Sequence, residues 1–166
     1  MQTYERLIKN TTNIFNSVAA ILLLILMLQG SADVIGRYAF NKPLVGTWET
    51  SEVWLALLVF FGWGYTQFMK GHVTVEVIVV HLSVKTRTIL NVVTSFIALI
   101  VFILVVWQAA VYAMRTLDQG MVIAVINWPL GPFQFFVCLG ALLLCLVFIL
   151  QIIQSLLIIK SGLRSE

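Results

Sequence analysis

Charge is what this 166-residue chain has least of: only 10% of its positions are Asp, Glu, Lys or Arg, while 61% are hydrophobic. That balance lies far outside the range of soluble domains and marks an integral membrane protein. The few charges crowd at the edges of the apolar stretches and leave their centres bare. A chain that moved a polar solute or a proton by itself is expected to keep ionisable groups or broken helices near mid-membrane, where burying them is unfavourable and therefore tied to function. Their scarcity there points to a scaffold more than to a pore.

Other absences narrow the chemistry. Cysteine occurs only at Cys138 and Cys145. A heptad spacing on one helix separates them by about 10 Å at 1.5 Å per residue, beyond the roughly 7 Å between Cα atoms that a disulfide tolerates. Both are expected to be packing residues. No closely spaced His, Cys or carboxylate group resembles a metal site, no glycine-rich loop suits a phosphate, and no GxxxG motif indicates a dimer of that type. His72 and His81 fall in one connecting segment and not on facing spans, which argues against haem. The basic residues form no stripe, so nucleic acid is not an expected partner. Nothing indicates an enzyme, and no cofactor is expected in this chain.

What is present is long apolar sequence. Four stretches carry no charge, 10–32, 53–69, 88–114 and 119–159, and a helix that crosses the hydrocarbon core needs roughly 20 apolar residues. Trp128, Pro129, Gly131 and Pro132 punctuate the last stretch, so its first part reads as a loop and its helix as starting near Pro132. The second can extend outward through Glu52, Glu49 and Trp48. The expectation is an all-α membrane domain over residues 1–166, with transmembrane helices at about 12–35, 48–69, 88–113 and 132–159. No short cleavable leader precedes the first span, which is expected to be retained.

Seven basic residues (Arg6, Lys9, Lys70, Lys85, Arg87, Lys160, Arg164) lie at the termini and in the middle connection, against three (Arg37, Lys42, Arg115) in the other two connections. The positive-inside rule then puts both termini in the cytoplasm. Trp48 and Trp128 fall at the outer interface, where indoles are favoured. The middle connection is expected to form a short amphipathic helix lying in the inner interface, at about 71–85. A lone strand there would leave backbone groups unpaired. His72 and Glu76 would share one face of that helix, and Lys70, Lys85 and Arg87 could hold an anionic lipid headgroup.

At the outer end, Asp33 and Arg37 are spaced i, i+4 and Glu49 and Glu52 i, i+3. One account is an interfacial charge cluster, the glutamates being favoured by the dipole at a helix amino terminus. Another has Arg37 bridge to Glu49 or Glu52 and fix the outer hairpin, or has the cluster face a partner. An exposed pair would contribute only about 0 to 1 kcal/mol.

Arg37, Tyr38, Phe40, Pro43, Trp48 and Glu49, followed by Phe61, Gly62 and the run Lys70 to Glu76, resemble the small membrane subunit (DctQ-like) of tripartite ATP-independent periplasmic (TRAP) transporters. The resemblance extends in length and four-span layout over the whole chain, in the form not fused to the large subunit. It implies an inner-membrane, non-catalytic subunit that scaffolds a large DctM-like partner. That partner would carry the sodium and substrate sites and import an organic acid, of the C4-dicarboxylate or sialic acid class, delivered by a periplasmic binding protein. Arg37, Glu49, Glu52, His72 and Glu76 would then be structural or partner contacts, with membrane lipids filling gaps between the subunits. Two other classes stand beside this one: the membrane anchor of a redox complex, and a small dimeric four-helix exporter.

Overall fold

Where a chain meets hydrocarbon, no water satisfies its peptide groups, so every N–H and C=O must be bonded within the protein. This sequence meets that requirement with helices. A computed structural model describes residues 2–69, 84–123 and 125–162. These form α1 (Gln2–Phe40), α2 (Thr47–Phe68), α3 (Val84–Asp118), a short strand pair β1 (Val122–Ile123) and β2 (Trp128–Pro129), and α4 (Gly131–Gly162). The interfacial helix expected over 71–85 lies outside the described residues, apart from Val84 and Lys85, which already belong to α3.

Segments of α1 (Tyr4–Phe40), α3 (Thr88–Asp118) and α4 (Gly131–Leu157) are long and apolar enough to cross a membrane. α2, at 22 residues, has the length, about 33 Å at 1.5 Å per residue. Its composition is weaker, because Glu49 and Glu52 open it and Gly62, Gly64, Tyr65, Thr66 and Gln67 dilute its far half. The packing accounts for this. α2 lies against both α1 and α4, while α3 packs on α4. A helix lined by protein on two sides tolerates polar atoms that lipid would penalise.

Lipid tails are as apolar as leucine, so helices associate in a membrane through close packing and polar contacts more than through the hydrophobic effect. One packed cluster joins Ala19 and Leu22 of α1 to Leu57 and Phe61 of α2, with Phe15, Trp54 and Phe133 against it. The rings of Phe15 and Phe61 meet edge-on with centroids 4.7 Å apart. A second contact line runs through Trp63, Phe102 and Phe148, with centroid separations of 5.6 and 5.8 Å, and so ties α2, α3 and α4 together. α4 approaches the backbone of α2 closely at Gly140, where a Cβ would lie 3.0 Å from both Cβ and O of Phe60. Cys138 and Cys145 are free and sit in the same helix; Sγ of Cys138 faces the Val106 carbonyl of α3 at 3.8 Å.

The connection between α3 and α4 is more ordered than the expected loop. Val122 pairs with Pro129 and Ile123 with Trp128 in an antiparallel ladder, closed by Leu130 N–H donating to Met121 O at 3.0 Å. Two residues per strand are too few for an alternating pattern to register in sequence. Asn127 takes a left-handed backbone (φ 51) to make the turn, as asparagine tolerates.

Gly140→Ala should force α2 and α4 apart and lower stability by about 1 to 3 kcal/mol. Gly30→Ala, at an α1 position with open space around it, should raise it by about 0.5 to 1 kcal/mol through helix propensity. Thermal unfolding of the two variants in one detergent checks both signs.

Candidate functional site

The polar side chains collect at the two ends of the bundle. At the hairpin end, where α1 hands over to α2, Asp33 is the focus. It is 7% exposed, and its carboxylate accepts from Arg37 Nε at 2.8 Å and from the Leu44 backbone N–H at 2.9 Å. Thr47 Oγ1 lies 3.5 Å from the same carboxylate and 3.0 Å from the Leu44 carbonyl. With one hydroxyl hydrogen it donates to the nearer acceptor. Arg37 occupies the last turn of α1, where its charge also complements the negative end of the helix dipole.

Backbone geometry brings these groups together. α1 ends at Phe40, Asn41 adopts φ 52, and Lys42 N–H turns back to donate to Gly36 O at 2.9 Å. A Cβ on Gly36 would sit 2.7 Å from the Lys42 carbonyl oxygen, so glycine is what permits this return. Gly46 precedes α2 with φ 81 and no side-chain cap, and a Cβ there would be 2.9 Å from Cγ2 of Ile126. The first and third connections are therefore in contact. One level deeper, Gln29 of α1 donates from Nε2 to Thr47 O at 3.2 Å and to Thr50 Oγ1, which itself donates to Gly46 O at 2.6 Å.

At the opposite, terminal end, two amides clasp each other across α2 and α4. Gln67 Nε2 donates to Gln151 Oε1 at 2.8 Å, and Gln151 Nε2 donates to Gln67 O at 2.7 Å. Gln154 of α4 donates to Glu5 of α1. No buried side-chain nitrogen or oxygen among the described residues lacks a hydrogen-bond partner.

Of the residues singled out in the sequence, Arg37 is joined to Asp33, and among the described residues no ion pair links it to Glu49 or Glu52. Glu49 sits in the first turn of α2, half-buried, and Glu52 is exposed. Lys70, His72 and Glu76 lie outside the described residues; Lys85 and Arg87 fall in the first turn of α3, their side chains outside the description. Sequence reasoning passed over Leu44, Thr47, Gln29 and the Gln67 and Gln151 clasp. Only the glutamines carried a signal, as isolated amides within apolar runs.

Apolar helices with their polar groups gathered and satisfied at both ends define a small helical membrane protein, and no group of three or more His, Cys, Asp or Glu among the described residues could hold a metal. A family model described as the DctQ component of tripartite ATP-independent periplasmic transporters matches residues 26–157. The chain belongs to that family and is a small TRAP transporter permease subunit. It is also similar to the ectoine TRAP transporter small permease protein TeaB of Halomonas elongata, at 24% identity over 139 residues that cover 84% of this chain and 72% of that protein. The matched region contains the whole of 37–76, on which the resemblance rested.

Asp33→Ala would orphan the Leu44 N–H and leave Arg37 without its acceptor, and is expected to destabilise the protein by about 1 to 3 kcal/mol. Arg37→Gln should cost no more than about 1 kcal/mol, because the Arg37 side chain is 45% exposed. Thermal unfolding gives the order; an Arg37→Gln effect equal to that of Asp33→Ala would contradict it.

Proposed function

We propose that this chain is the non-catalytic scaffold of a sodium-driven importer of small carboxylate-bearing solutes. A large DctM-like membrane subunit beside it carries the sodium and substrate sites, and a periplasmic binding protein delivers the cargo. The observation that carries this reading is membership of the DctQ family across residues 26–157. The distribution of polar groups supports it, since the hydrogen-bonded clusters at Asp33 and at Gln67 are spent on holding helices together.

In this reading α2 spans the membrane with α1, α3 and α4, so four helices cross, with a short interfacial helix between the second and third. Both termini face the cytoplasm of a bacterial inner membrane, by the seven-to-three excess of basic residues. Arg37, Glu49, Glu52, His72 and Glu76 stabilise the hairpin or meet the large subunit, and Lys70, Lys85 and Arg87 meet lipid headgroups. The cargo is an organic acid of the C4-dicarboxylate or sialic acid class. TeaB, by its name, serves ectoine, so family membership alone does not fix the cargo.

Affinity-tagged chain extracted from native membranes in mild detergent is expected to bring down one larger, many-span membrane protein in equal amount. Reconstituting that partner with and without this chain, with the cargo-loaded binding protein supplied in both cases, should give sodium-dependent uptake only when both membrane chains are present. Recovery of the chain as a homodimer or with haem proteins, or full uptake by the partner alone, would refute the scaffold role.

A further inference from the structure

We infer that the terminal end of the bundle holds a binding site for an anionic phospholipid between α1 and α4. A cleft of about 560 Å³ opens there, with Arg6, Lys9 and Asn10 of α1 on one wall and Leu150, Gln151 and Gln154 of α4 on the other. The polar groups of this cleft divide into engaged and free. Glu5, also on its wall, accepts from Gln154, and Gln151 is held by Gln67. The side chains of Arg6 and Lys9 enter no ion pair or hydrogen bond among the described residues. The two cations are therefore available to an incoming anion.

A second observation gives that anion a tail. An apolar groove of about 300 Å³ shares Glu5, Leu150 and Gln154 with the cleft and continues along the seam between α1 and α4, past Tyr4, Ile8, Leu146, Ile149 and Ile153. On α4 the step from Gln154 to Leu146 leads from the polar end into the apolar span. A cationic mouth opening onto an apolar groove matches a phosphate joined to an acyl chain, and basic pockets between membrane helices are suited to such headgroups. A free phosphate would fill the mouth and leave the groove empty. The site does not depend on the identity of the transported solute.

The test titrates the full-length chain in mild detergent with phosphatidylglycerol or phosphatidylcholine and counts bound lipid by native mass spectrometry. Phosphatidylglycerol should bind several-fold tighter than phosphatidylcholine. The double variant Arg6→Gln, Lys9→Gln should weaken it on the order of tenfold, and Ile149→Trp, which fills the groove, should weaken both lipids. Equal retention of the two lipids by the unaltered chain would overturn the site without recourse to any variant. So would unchanged phosphatidylglycerol binding in a folded double variant, or displacement by inorganic phosphate with no effect of Ile149→Trp.

Discussion

One buried carboxylate fixes how α1 hands over to α2. Asp33 takes a guanidinium from its own helix and a peptide N–H from the chain that follows, so the end of α1 and the approach to α2 are bonded to the same two oxygens. Charge-assisted hydrogen bonds are shorter and stronger than neutral ones, and in this setting they hold the angle at which α2 enters. α2 in turn presents Leu57 and Phe61 to α1 and the Phe60 backbone to Gly140 of α4. The register of the central packing therefore follows from the turn that Asp33 holds.

What the sequence revealed, and what it hid, has a physical pattern. An all-helical membrane protein was legible because long charge-free runs have few other solutions, and the family was legible because Arg37, Trp48, Glu49 and the run from Lys70 to Glu76 carry it together. Which acid Arg37 pairs with was not. Spacing made Asp33 at i−4 available as well as the glutamates at the start of α2, and only the path of residues 41–46 decides among them. Which glycine meets which neighbour was hidden as well: a Cβ at Gly62 would find its nearest neighbour at 4.0 Å and one at Gly64 would meet Leu143 at 3.4 Å, whereas Gly140 meets Phe60 at 3.0 Å. A glycine in an apolar helix shows that room is needed without showing which partner needs it.

The composition of α2 becomes intelligible in the same terms. Judged alone, it is the helix least suited to lipid; judged in the bundle, Gln67 and Gly64 meet neighbouring helices and Thr66 is satisfied within its own. Gln67 completes the clasp with Gln151, and Thr66 returns its hydroxyl to Gly62 O at 3.1 Å. Among the described residues every buried side-chain nitrogen and oxygen is hydrogen-bonded, and the surface left to lipid and partner is mainly apolar, including most of the span in α3.

The Gln67 and Gln151 clasp joins two helices without carrying charge, and Asp33 and Arg37 cancel within one turn of one helix. Moving an elementary charge through a membrane potential changes its energy by about 2.3 kcal/mol per 100 mV. Neither contact presents a net charge for that field to act on. These two fastenings are electrically silent, so a change in membrane potential does no direct work on either of them.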